Sequence, residues 1–197
     1  MKLEPFDKEE GYRVWLSEDE QNKLLEYYRT EPRKQLALRL MLYGLRSDEI
    51  PRVSFDDFRK MDIQDEGWML KVREGKTGFR ECPVSNKTAE KAEMVHNMGE
   101  LKKGQPLVPV TKRTVQRYVE RAVEELSEQD SDWQYVSAHD LRRTWATSVY
   151  WRLNGARARD VVMSWGGWTD VNTFNRNYLG AIPDSIAIEV MDEAEIR

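Results

Sequence analysis

Ala138-His139-Asp140-Leu141-Arg142-Arg143-Thr144, followed downstream by Gly167-Trp168 and Tyr178, is the stretch on which the reading of this 197-residue chain turns. His139 and Arg142 are three residues apart, so on a helix they share a face and can address one small anion. Ser137 suits the N-cap of that helix, leaving His139 in the first turn, where the positive end of the dipole disfavours a protonated imidazole. A neutral imidazole can accept a proton. Arg142 offers a planar fork of donors that matches two oxygens of a tetrahedral anion. A tyrosine hydroxyl becomes a competent nucleophile when a base and a positive environment share its proton and charge. The same residues also suit a solvated helix face with Tyr178 as a core aromatic, and this stretch alone leaves both readings open.

Working outward, Leu42-Tyr43-Gly44-Leu45-Arg46-Ser47-Asp48-Glu49-Ile50 ends one apolar-periodic helix at Gly44 and opens another with Ser47 as cap. Arg46 then stands at the corner between them, free to point into a cleft. Lys71 to Val84 alternates like a β-hairpin with Gly75-Lys76-Thr77-Gly78 as its turn, which puts Lys76 at an exposed tip.

With these segments in hand, the chain resembles the catalytic domain of the tyrosine recombinase (phage integrase) family. That family carries an arginine in a G-L-R-x-x-E-[IL] box, a lysine on a hairpin turn, an H-x-L-R-[RHT] box, a His or Trp after glycine, and a C-terminal tyrosine. Here these read Gly44-Leu45-Arg46-Ser47-Asp48-Glu49-Ile50, Lys76, His139-Asp140-Leu141-Arg142-Arg143, Trp168 after Gly167, and Tyr178, in order from about Trp15 onward. Two departures stand out. Trp168 to Tyr178 spans ten residues where the family usually has nine. One extra residue turns a helix by roughly 100°, so the turn around Thr169 to Asn172 must absorb it if Tyr178 is to face the site. Asn177, at the usual spacing, cannot do the chemistry. Trp168 replaces the commoner His, and its indole N–H can donate to a phosphate but cannot act as a base.

The resemblance implies a mainly α fold with a small antiparallel β-sheet, and a site-specific DNA recombinase of integrase or excisionase type. Tyr178 would attack the scissile phosphodiester to give a 3'-phosphotyrosyl bond. Arg46 and Arg142 would hold the non-bridging oxygens, a role worth about 3 to 4 kcal/mol per well-placed donor. Lys76 would protonate the leaving 5'-oxygen, His139 would accept the tyrosine proton, and Glu49 would orient Arg46 or His139. Arg143 is expected on a backbone phosphate rather than the reacting one. The mechanism needs no metal or cofactor; the implied partners are double-stranded DNA and a second copy of the chain. A type IB topoisomerase, which rejoins the same strand, and an inactive DNA-binding relative are the alternatives.

Length and a 40% apolar composition suit one domain with one core. The single Cys82 and two histidines exclude a disulfide framework and disfavour a structural zinc site. With no apolar run near membrane-span length and a highly charged start, a cytoplasmic location is expected. There is no nucleotide-binding G-x-x-x-x-G-K-[ST].

The expected elements are a helix from a capping box at Ser17-Glu18-Asp19-Glu20 to about Arg29, a second from Pro32 to Gly44, and a short one near Glu49. Strands follow at about Phe58 to Gln64, Trp68 to Arg73 and Phe79 to Val84, with a turn at Asp65-Glu66-Gly67. Helices follow at Ser85 to Asn97, Thr111 to Leu126, His139 to Leu153, Arg157 to Ser164 and Val171 to Tyr178. Residues 1–16 read as a lead-in, and the helical domain that family members carry before this one is expected to be absent.

The formal charge of −4 is unlike that of a DNA-binding protein, but it is unevenly spread. Residues 1–31 and 179–197 each carry −4, so the middle is net +4. Within it Lys112, Arg113, Arg117 and Arg121 recur on one helix, either tracking a DNA backbone or pairing with Glu120, Glu124 and Glu125. Trp145, Trp151 and Trp165 read as core rather than base-stacking residues. The tail, residues 179–197, has an amphipathic pattern at Ile186, Ile188, Val190 and Met191, and the resemblance implies that it docks on a neighbouring protomer.

Overall fold

The computed structural model describes residues 1–6, 10–62, 67–75, 78–153, 157–180, 182 and 184–196. Lys76, Asp65-Glu66 of the expected turn and the expected strand end at Gln64 lie outside them. Two strands, β1 (Lys2–Pro5) and β2 (Tyr12–Trp15), form an antiparallel hairpin where only a lead-in was expected. Helices α1 (Glu18–Tyr27) and α2 (Pro32–Met41) follow, then the three-stranded antiparallel sheet β3 (Phe58–Lys60), β4 (Trp68–Gly75) and β5 (Gly78–Val84). Helices α3 (Asn86–Met98), α4 (Lys112–Ser127), α5 (Ala138–Arg152), α6 (Ala158–Gly166), α7 (Val171–Tyr178) and α8 (Asp184–Glu193) complete the chain. The mainly helical fold with small antiparallel sheets is the one expected. Among the described residues no helix is long and apolar enough to cross a membrane.

The caps explain most helix starts. Ser17 accepts from the Glu20 amide while the Glu20 carboxylate accepts from the Ser17 amide at 2.7 Å, so two otherwise unpaired donors satisfy each other. Ser85 and Thr111 cap α3 and α4 through the amides of Thr88 and Thr114. The expected short helix near Glu49 is a single 3-10 turn, Ile50–Arg52, since Pro51 removes a donor. Helix α2 stops at Met41, three residues earlier than expected. Gly44, at φ +87°, reverses the chain, and the Leu45 amide returns to the Leu40 carbonyl at 3.1 Å.

Helix α5 is the axis of the molecule, with every residue from Asp140 to Thr147 buried. A helix buried all round must satisfy its polar side chains internally. Asp140, Thr144 and Thr147 lie along one stripe and receive the β2 edge: the Val14 amide at 3.1 Å, the Leu16 amide at 3.0 Å and the Trp15 indole N–H at 2.9 Å. The unexpected hairpin is thereby bonded to the central helix. On one side of α5 lies the main core, which includes Leu24, Leu36, Leu40, Leu45, Leu70, Val115 and Val119. On the other, Trp145, Ala146, Val162, Met163, Phe174 and Tyr178 form a second cluster with α6 and α7. Trp145 is core, as expected.

Candidate functional site

Ser137 caps α5, its amide and hydroxyl donating to the Asp140 carboxylate at 2.8 and 2.6 Å, which places His139 in the first turn as the sequence suggested. The His139 ring lies 5.1 Å from that of Tyr178, tilted by 60°. Although the residue is open to solvent, desolvation by its surroundings, then the charges of Arg143, Arg142 and Arg46, push its pKa down to about 4. At neutral pH the imidazole is uncharged.

Arg142 is 1% exposed. It donates to the Gly44 carbonyl and, at 2.5 Å, to that of Gly166. The early end of α2 frees the first of these acceptors and the end of α6 frees the second. Its Cζ sits 4.1 Å from the Trp168 ring centroid and 5.9 Å from that of Tyr178. Burial, then the charges of Arg46 and Arg80, lower its pKa to about 9, which leaves it a cation at neutral pH. Arg46 donates to Glu49 at 3.0 Å and to the Gly167 carbonyl at 3.1 Å. The Glu49 carboxylate also accepts from the Arg46 amide at 2.7 Å. Burial alone would raise the Glu49 pKa, but the hydrogen bonds and charge of Arg80, with those of Arg46, bring it to about 2.

Trp168 follows Gly167, whose left-handed conformation at φ 69° closes α6. Gly166 must lack a side chain, because a Cβ there would stand 1.8 Å from the Trp168 ring. The indole packs on Tyr178 with ring centroids 4.4 Å apart. Among the described residues, Trp168 Nε1 and Arg142 Nε are buried donors with no protein partner. Both belong to groups that pack on Tyr178, an arrangement suited to an oxyanion.

Tyr178, ten residues after Trp168, ends α7, whose start Asp170 caps by accepting from the Thr173 amide at 2.6 Å. Arg143 and Thr147, one turn apart on α5, then grip the end of α7 by the carbonyls of Asn177, at 2.7 Å, and Tyr178. Tyr178 faces His139 and Trp168, while the Asn177 amide folds back to the Thr173 carbonyl at 3.1 Å.

Five of the expected residues, Arg46, His139, Arg142, Trp168 and Tyr178, thus converge. The placement of Arg143 departs from its expected contact with DNA. It is 4% exposed, and its guanidinium binds Asp140 and the Asn177 carbonyl because the α5–α7 seam offers those acceptors and no solvent. Lys112, Arg113, Arg117 and Arg121 lie exposed on α4, opposite buried Val115, Val119 and Ala122. Arg113 is paired with Glu120 at 2.5 Å. The sequence reading missed Thr147, Trp15 and Arg80. For Arg80 a signal existed: it shares strand parity with buried Cys82 and Val84, so it points inward.

The model of the phage integrase family matches residues 14–182. The chain belongs to the phage integrase family. Among solved structures, a XerA recombinase superposes with a TM-score of 0.71 at 22% identity, over 93% of this chain and 66% of that one. A XerH site-specific recombinase in a post-cleavage complex with its palindromic difH substrate gives 0.64 at 17%, over 90% and 52%. A Tn1549 transposon integrase in complex with circular intermediate DNA gives 0.64 at 15%, over 94% and 67%. The chain therefore spans about half to two thirds of the length of these relatives and shares their fold. No curated protein sequence matches it.

Proposed function

We propose that the chain is the catalytic domain of a site-specific DNA recombinase, acting on the DNA of a mobile element in the cytoplasm. The observation that carries this reading is the pair of unpartnered buried donors, Arg142 Nε and Trp168 Nε1, beside Tyr178 and an uncharged His139. In the proposed reaction the Tyr178 phenolic oxygen forms a bond to the scissile phosphorus as the bond to the 5'-oxygen breaks. His139 takes the phenolic proton. Arg46, Arg142 and Trp168 stabilise the charge that builds on the non-bridging oxygens. Lys76 is proposed as the donor to the leaving 5'-oxygen. The phosphotyrosyl ester keeps the energy of the broken linkage, so a 5'-hydroxyl from another duplex can reverse the step.

The partners of this reading are double-stranded DNA, tracked in part by Lys112, Arg117 and Arg121, and a second copy of the chain. The likeness to DNA complexes of XerH and the Tn1549 integrase supports the first. The tail supports the second. Helix α8 is tied to its own chain at its start, where Lys2 bonds Asp184 at 2.8 Å, yet Ile188, Val190 and Met191 stay exposed. We assign these apolar side chains to a neighbouring protomer in the synaptic assembly.

The test is strand exchange between two duplexes carrying candidate attachment sites. Joined products that need Tyr178 support the recombinase. Relaxation of supercoiled plasmid without exchange favours the topoisomerase reading, and neither activity favours a binding-only relative.

A further inference from the structure

Three arginines meet the end of α6 in strict order. Arg80 Nε donates to the carbonyl of Trp165 at 3.0 Å, Arg142 to that of Gly166 at 2.5 Å and Arg46 to that of Gly167 at 3.1 Å. Carbonyls at a helix C-terminus lack intrahelical partners and carry the negative end of the dipole, so they draw cations together that would otherwise repel. Two of these arginines belong to the reaction centre already described. The third, on β5, has no part in it.

Arg80 has a second engagement. Its two terminal nitrogens each bond one oxygen of Glu49 at 2.7 Å, a fork-on-fork pair with 5% and 1% of the side chains exposed. The same carboxylate accepts from the Arg46 amide at 2.7 Å and from its guanidinium at 3.0 Å. Glu49 thus stands between Arg80 and Arg46 with four donors on two oxygens. Were Arg80 neutral, Arg46 alone would have to hold this buried carboxylate, and its guanidinium would be drawn toward Glu49. The base of the hairpin is fitted to the arrangement: a Cβ on Gly75 would stand 2.7 Å from Arg80 Nη1 and 2.9 Å from the Gly78 carbonyl.

We propose that Arg80 is a positioning residue for strand cleavage: by holding Glu49 and the Trp165 carbonyl it aims Arg46 at the scissile phosphate and ties the β4–β5 hairpin to the reaction centre. This rests on the recombinase reading above. Arg80 touches no reacting atom and acts through Glu49 and Arg46.

A neutral methylphosphonate at the scissile position separates this role from a merely structural one. Replacing one non-bridging oxygen by methyl removes the charge that Arg46 stabilises, so a defect that works through Arg46 is forgiven on that substrate. A defect in folding is not. The variants are Arg80→Met, Arg80→Lys, which keeps the charge but not the fork, and Arg46→Ala as the reference. Each is compared on a nicked duplex that the unsubstituted chain cleaves. The expected result is a loss of about 10²-fold for Arg80→Met on the phosphodiester, the scale of a misaimed group. On the methylphosphonate the loss shrinks by at least tenfold, in parallel with Arg46→Ala. Arg80→Lys gives the same pattern with a smaller loss, and serves alone if Arg80→Met fails to fold. Equal losses on both substrates, or no loss on either, overturn the proposal. Failure of the unsubstituted chain to cleave any duplex overturns the recombinase reading instead, and is seen before any variant is compared.

Discussion

Individual side chains in this site are tuned by what surrounds them. His139 is held uncharged by desolvation and three nearby guanidiniums, with its pKa lowered to about 4. In the unfolded chain a histidine titrates near 6.5. Cleavage is therefore expected to keep its rate down to about pH 5 as far as His139 governs it, measured as adduct formation across pH 4 to 8. An acid limb centred near 6.5 would contradict this. The same shift has a cost in stability. Below 6.5 the unfolded chain takes up a proton that the native state refuses until about 4, so the contribution is intact above 6.5 and lost as pH falls through that window. His139→Gln should make urea unfolding at pH 5 and pH 7 more alike. Trp168→Phe offers a second test at this scale. It deletes a donor without a protein partner and trims the ring that packs on Tyr178 and Arg142, so thermal stability should fall modestly while cleavage falls by about 10²-fold. An equal loss of both would mean that the indole only packs.

Elements reach the site through turns and seams that are read from sequence to different degrees. Capping boxes and apolar periodicity announced α1, α3, α4 and α5 to within a turn, because those signals are local. The β1–β2 hairpin was not legible: its strands are four residues each, and what holds them is the polar stripe Asp140, Thr144 and Thr147 more than a hundred residues away. For Arg80 strand parity signalled an inward side chain, but what that charge does is recognisable only once its partner Glu49 is known. The motif residues were legible because the boxes name them, but that Tyr178, ten residues after Trp168, faces His139 and Trp168 is seen only in the fold. Two substitutions probe these joints. Gly44→Ala puts a Cβ 2.5 Å from the Trp145 ring at a positive φ, and should cost about 2 kcal/mol or more in chemical denaturation. Thr147→Val removes the hydroxyl that joins Trp15, Tyr178 and Gly180. It should destabilise the fold by about 1 to 3 kcal/mol and slow cleavage as the end of α7 shifts.

The whole molecule presents an acidic start and tail around a net positive middle, and among the described residues Ile188, Val190 and Met191 of α8 are exposed. Removing residues 184–197 is expected to preserve binding to a single duplex and to abolish complexes that hold two, as read by gel mobility with two lengths of DNA. Unchanged pairing would assign the tail to its own chain. The expectations for cleavage rest on Tyr178 being the nucleophile, which covalent trapping tests most directly. The chain and its Tyr178→Phe variant are incubated with nicked duplexes carrying candidate attachment sites, and adducts that survive denaturant are mapped by mass spectrometry. A 3'-phosphotyrosyl linkage at Tyr178, absent from the variant, is the predicted result; an adduct on another residue, or none on any duplex, would contradict it.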